Sequence, residues 1–175
     1  MKVKSLALGL VLSVFSFTSS AVDGYKGVKF GSDVKTVLAA KWCNFKKYNE
    51  NETKGLDAYY CENFKLSGKD SLAMAIFLDG KFERLSLTLN IDINSVIAAL
   101  EKKYGNASSA STPEEVKKAM ELGGSIYIRY DNDTVIVIGS RDIEAKKDYS
   151  QLVYTSPDYD KRLSELQAKE LDNDL

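Results

Sequence analysis

The stretch SDVKTVLAAKW, Ser32 to Trp42, has a counterpart 62 residues later in NSVIAALEKKY, Asn94 to Tyr104. Val34 aligns with Val96, Leu38 with Leu100 and Trp42 with Tyr104. Apolar residues at i, i+4 and i+8 make one buried stripe, so each segment reads as a short amphipathic helix. Each opens on a side chain suited to capping a helix N-terminus, Ser32 or Asn94. Gly105 stops the second helix, and Cys43 holds the matching position in the first.

Strand patterns follow each helix. After the first come Asp57–Phe64, Leu72–Leu78 and Phe82–Leu89, with Asp79-Gly80 as a two-residue hairpin signal. Leu85, Leu87 and Leu89 alternate with Ser86, Thr88 and Asn90, which leaves that strand one wet face. After the second come Ser125–Tyr130 and Thr134–Gly139, joined through Asp131-Asn132-Asp133, and then Gln151–Thr155. Val135 to Ile138 shows no polar alternation and reads as covered on both sides. The pattern predicts an α+β fold: one antiparallel sheet with helices packed on one face. It is built from two successive helix-then-hairpin units, about 32–89 and 94–155, within a domain of 22–156. Thr112-Pro113-Glu114-Glu115 predicts a further capped helix. Ser156-Pro157-Asp158 predicts another over 157–175, striped by Tyr159, Leu163 and Leu166, with a frayed acidic end.

Residues 1–21 have the order of a secretory signal: Lys2 and Lys4, an apolar stretch from Leu6 to Phe17, then the small residues Ser19-Ser20-Ala21. The stretch is 12 residues long, short of the roughly 20 that span a bilayer. Cleavage after Ala21 leaves 154 of the 175 residues, room for one domain with a real core. The expected location is the periplasm or the exterior, with no membrane span and no lipid-bearing cysteine. In an exported chain, Cys43 and Cys61 read as one disulfide. The mature chain carries 22 bases against 25 acids, and three of its net negative charges lie beyond Pro157. The neutral body argues against nucleic acid and anionic membrane surfaces as partners.

Histidine is absent, which removes histidine triads, histidine-ligated zinc and imidazole acid–base catalysis. Two cysteines alone make no structural zinc site, and no phosphate-binding glycine loop occurs, so no cofactor or metal is expected. Ser32-Asp33-Val34-Lys35 matches the Ser-x-x-Lys of penicillin-recognising enzymes, but its companion elements are missing and Ser32 reads as a helix cap. Asp131-Asn132-Asp133 opens like a calcium loop but lacks the glycine and the distant glutamate, and reads as a turn. Asn51, Asn106 and Asn132 begin glycosylation-type triplets that mark exposed loops. Hydrolysis of glycan or cell-wall material by paired carboxylates is the alternative function. Its candidates, Glu62, Asp70, Asp79 and Glu83, read as solvated acids on a sheet rim.

The ten tyrosines point instead to recognition of another protein, since such rings anchor interfaces at low entropy cost. The candidate surface is a polar loop from Lys46 to Lys54 inside the disulfide ring, with Lys46, Lys47, Tyr48 and Glu50, joined by Tyr59 or Tyr60. These last two are adjacent on one strand, so one of them faces away from the core.

The segment Gly27-Val28-Lys29-Phe30-Gly31-Ser32, followed by a short helix, resembles the opening of units in two kinds of exported protein. One is the β-lactamase inhibitor protein type, a tandem of helix-and-sheet units. The other is the small lipoprotein of the outer-membrane barrel-assembly machinery. The resemblance implies a sheet and loops that grip a protein partner, by inhibition, immunity or assembly, without catalysis. The departures are a single cysteine pair, where the inhibitor has one disulfide per repeat, and no cysteine placed to carry lipid.

Overall fold

The computed structural model of the chain describes residues 21–49 and 53–174. The predicted leader, apart from Ala21, lies outside the described residues, as do Glu50, Asn51 and Glu52. A small hairpin, β1 (Gly24–Tyr25) and β2 (Val28–Lys29), precedes α1 (Val34–Ala39). Then come β3 (Lys46–Tyr48), β4 (Leu56–Leu66), β5 (Lys69–Leu78) and β6 (Lys81–Thr88). The second half holds α2 (Ile93–Tyr104), β7 (Ser109–Ala110), α3 (Pro113–Leu122), β8 (Gly124–Tyr130), β9 (Val135–Asp142), β10 (Lys147–Thr155) and α4 (Tyr159–Asp174). The fold is α+β, and its eight-stranded antiparallel sheet runs β3-β4-β5-β6-β10-β9-β8-β7.

Local chemistry sets the turns. Asp79 and Gly80 both take positive φ, +49° and +71°, which a two-residue type I′ hairpin requires. Asp131, Asn132 and Asp133 turn β8 into β9 with φ of +54°, +55° and +66°, a conformation that short polar side chains tolerate better than most. Thr112 and Glu115 form the predicted capping box on α3.

Cross-strand register sorts the side chains onto two faces. One row runs Cys61, Ala73, Leu87, Leu152, Val137, Ile128 from β4 to β8. The next runs Tyr59, Ala75, Leu85, Tyr154, Val135, Tyr130. Both rows belong to one apolar core, closed by Val37 of α1 and by Val96 and Leu100 of α2. Tyr25 and Tyr154 lie against each other there with centroids 4.8 Å apart. Burial pushes the Tyr25 phenol up to about 12, so it packs as a neutral ring.

The structure corrects several expectations. The caps are Asp33 and Asp92, whose carboxylates accept from Thr36 N (2.8 Å) and Ser95 N (2.9 Å), in place of Ser32 and Asn94. Those hydrogen bonds hold both carboxyls below their ordinary range. With α1 ending at Ala39, its buried contact is Val37, while Leu38 is 37% exposed. Trp42 lies beyond that helix and packs edge-on against Tyr25, ring centroids 5.1 Å apart. Lys46–Tyr48, expected in a loop, is an edge strand paired to β4. The helix expected after Pro157 runs from Tyr159 to Asp174.

Helices on one face describes α1 and α2 but not α4. A register shift between Ile76 and Phe77 bulges β6 at Glu83, so Glu83 and Arg84 both lie between the inward Phe82 and Leu85. Arg84 then faces outward with Ile76 and Thr155, and its guanidinium lies 3.6 Å over the Tyr159 ring of α4. Ser156, just ahead of α4, donates to the Glu83 carboxylate.

Cys43 and Cys61 are joined, with Cα atoms 6.3 Å apart, and Cys61 is buried in the core. Seventeen intervening residues close a loop whose cross-link is worth about 3 kcal/mol in the chain-entropy model. Reduction should therefore lower the stability obtained from urea unfolding by about that amount. A Cys43→Ala/Cys61→Ala chain should match the reduced protein.

Candidate functional site

The face opposite α1 and α2 carries a third row that crosses all eight strands: Lys46, Tyr60, Met74, Ser86, Val153, Ile136, Arg129, Ser109. Val153 and Ile136, at its centre, are buried, whereas Tyr60, Met74 and Arg129 are half-buried. Strand parity explains why an apolar row lies here. On β5, Leu72, Met74 and Ile76 point outward while Ala73, Ala75 and Phe77 point into the core.

At the β3 end the rings of Tyr48 and Tyr60 meet edge-on, centroids 6.3 Å apart. Together with Leu72, Met74, Lys47 and Asn49 they line an open groove of about 410 Å³. Leu72 is 42% exposed there and adds an aliphatic side chain to the groove. At the other end the Arg129 guanidinium stacks 3.7 Å from the Tyr127 ring centroid. The face therefore carries aromatic rings towards both lateral edges, each beside a cation.

The predicted candidates divide between the two faces. Lys46, Tyr48 and Tyr60 come together on the outer face. Tyr59 faces inward and packs on Phe77 with centroids 5.5 Å apart. Lys47 pairs with Tyr59 in register and reaches Asp57 at 2.8 Å, an ion pair that raises its pKa. Glu50 lies outside the described residues. Sequence reasoning missed Leu72, Met74 and Arg129. The signal available for β5 was its two apolar faces, only one of which a helix pair can cover.

The acids expected on the sheet rim mostly stand there. Glu62 and Asp79 are exposed, and Asp70 pairs with Lys65 at 2.7 Å. Glu83 is the correction: at 2% exposure it is buried, accepting from Ser156 Oγ and from Arg162 Nη1 of α4. Arg162 also donates to the Leu78 carbonyl. This group anchors α4 across one end of the outer face, with Leu166 reaching Gly55. Among the described residues, no three metal-ligating side chains cluster, and no helix is long and apolar enough to cross a membrane.

Residues 25–174 match a protein family described as uncharacterised protein. The chain belongs to that family. It is also similar to an uncharacterised protein of Haemophilus influenzae (strain ATCC 51907 / DSM 11121 / KW20 / Rd), 32% identical over 178 aligned positions. The alignment covers 98% of each chain, so the likeness takes in the described sheet and helices together. No solved structure matches.

Truncating Arg162 leaves the Glu83 carboxylate buried without its cation, a loss of about 3–5 kcal/mol when such pairs are broken. Arg162→Ala should fall at the low end, because its side chain is 34% exposed, and should open α4 to limited proteolysis. A Glu83→Leu/Arg162→Leu chain should recover most of the stability measured by urea unfolding.

Proposed function

We propose that this chain is an exported, non-catalytic module that binds another protein through the outer face of its sheet. The supporting observation is the uncovered row from Tyr60 through Met74, flanked by Tyr48 and Leu72, on a rigid eight-stranded scaffold. Partly exposed aromatic and aliphatic side chains fixed on strands bind at little ordering cost, because their backbone is already set. Export is read from the basic, apolar and small-residue order of residues 1–21, and the Cys43–Cys61 bond suits an oxidising compartment. Lys46 and Arg129 leave the two ends of the face cationic, which favours a partner with carboxylates around an apolar centre.

The face is also read as the product of an internal duplication. Supporting this, the strand order reads 3-4-5-6 in one direction and 7-8-9-10 in the other, meeting where β6 pairs with β10. Each set follows one of the two helices that align in sequence. The layout stays similar to the tandem units of the β-lactamase inhibitor protein type, in which a sheet grips a protein.

The test is cross-linking capture from an envelope extract of the native host, with oxidised 22–175 as bait. A specific partner should be recovered, and Tyr60→Ala/Leu72→Ser should cut its recovery by at least about tenfold, as expected for hot-spot residues. The control Leu122→Ser, on α3, should leave recovery unchanged. Equal recovery by the Tyr60/Leu72 variant, with its fold intact by circular dichroism, would show that the partner binds elsewhere.

A further inference from the structure

The main-chain nitrogen of Val22 lies 2.6 Å from Asp131 Oδ2, across 109 positions of sequence. Val22 is half-buried and packs against the core. The next residues are held as well: Asp23 O accepts from Phe30 N at 2.8 Å, and the Asp23 side chain pairs with Lys29 at 2.8 Å. The position of Val22 N is therefore set by the fold. Asp131 is the first residue of the left-handed β8–β9 turn, and its main-chain carbonyl accepts from Thr134 Oγ1 at 2.7 Å. Its carboxylate has no cationic partner among the described residues.

A full carboxylate is more acceptor than one amide N–H needs. The residue just before that nitrogen is Ala21, with Ser19 two positions further back, the small-residue spacing that a membrane-bound signal-type peptidase reads. We propose that Ala21–Val22 is a processing site and that Asp131 is the receptor for the α-ammonium created there. This rests on the export reading above. Water adds at the Ala21 carbonyl and the Ala21–Val22 amide bond breaks. Ala21 leaves as a carboxylate, and Val22 nitrogen takes up protons to become an ammonium. The hydrogen bond to Asp131 becomes a charge-assisted ion pair without movement of the backbone. Processing then ties the new chain start to the tip of the β8–β9 hairpin, beside Asp133, which accepts from Ser108 Oγ at 2.6 Å. The precursor lacks this pair and is the less stable form, which suits a chain that must cross a membrane unfolded.

Two measurements test the proposal. N-terminal sequencing of the chain recovered from the envelope should begin at Val22. Thermal unfolding of oxidised 22–175 is then compared with that of 21–175, which differs by one added alanine, each with Asp131 and with Asp131→Asn. Asparagine keeps an acceptor and removes only the charge. With Asp131 present, the added alanine should lower Tm by roughly 2–4 °C, the shift that about 1 kcal/mol produces at this size. In the Asp131→Asn background the two starts should unfold together. A chain that begins at Val22 but whose Tm is indifferent to the extra alanine overturns the ion pair and leaves export standing. A different mature start overturns the processing site. A chain recovered with residues 1–21 attached overturns export as well.

Discussion

Everything in this fold depends on the pairing of β6 with β10. Five register pairs, from Arg84–Thr155 to Thr88–Gln151, join segments more than sixty residues apart. Leu85 with Tyr154 and Leu87 with Leu152 lie on the dry side of that seam. Without it the chain would be two four-stranded sheets, each with a long unpaired edge of eight or nine residues. With it the outermost strands among the described residues are β3 and β7, three and two residues long. The seam has a kinetic consequence too, because loop closure over that distance must precede the contacts that reward it.

One continuous sheet has two faces, and the sequence has only enough amphipathic helix for part of the second. α1 and α2 close the inner face. α4 covers one end of the outer face, anchored by Tyr159 on Arg84 and by Arg162 on Glu83. The bulge at Glu83 makes this arrangement work, since it turns two consecutive side chains to the outside where a regular strand would turn one. A buried carboxylate is costly unless paired and hydrogen-bonded, so Glu83 specifies where α4 docks more than it adds stability. What remains partly exposed on that face is Tyr48, Tyr60 and Met74 at one end and Arg129 at the other, with Val153 and Ile136 buried between them.

Much of the sheet was legible from local signals. Asp79-Gly80 encodes its turn through the φ values it permits, and the Leu85–Leu87–Leu89 alternation gives the parity of β6 directly. Thr112 with Glu115 is a complete local device. The Val135–Ile138 run read as covered on both sides, and Val135 and Val137 do face the core while Ile136 is buried on the other side. Less legible was anything that needs register. Tyr59 and Tyr60 are adjacent, and only their pairing with Ala75 and Met74 decides which one is outside. Lys46–Tyr48 is polar and reads as loop, since an edge strand needs no apolar signature. The caps shifted because several polar residues precede each helix, and the hydrogen bonds to Thr36 and Ser95 select among them. No periodicity in β6 announces a bulge at Glu83, so the outer placement of α4 was invisible.

The claim that the outer sheet face is the working surface is tested most directly by oxidative footprinting of the free chain against its cross-linked complex. Tyr60, Leu72 and Met74 should lose hydroxyl-radical reactivity in the complex, while Met120 and Leu122 of α3, exposed at 51% and 72%, keep theirs. Protection of Met120 and Leu122 with Leu72 and Met74 unchanged would contradict the account and move the partner to the α3 end of the molecule.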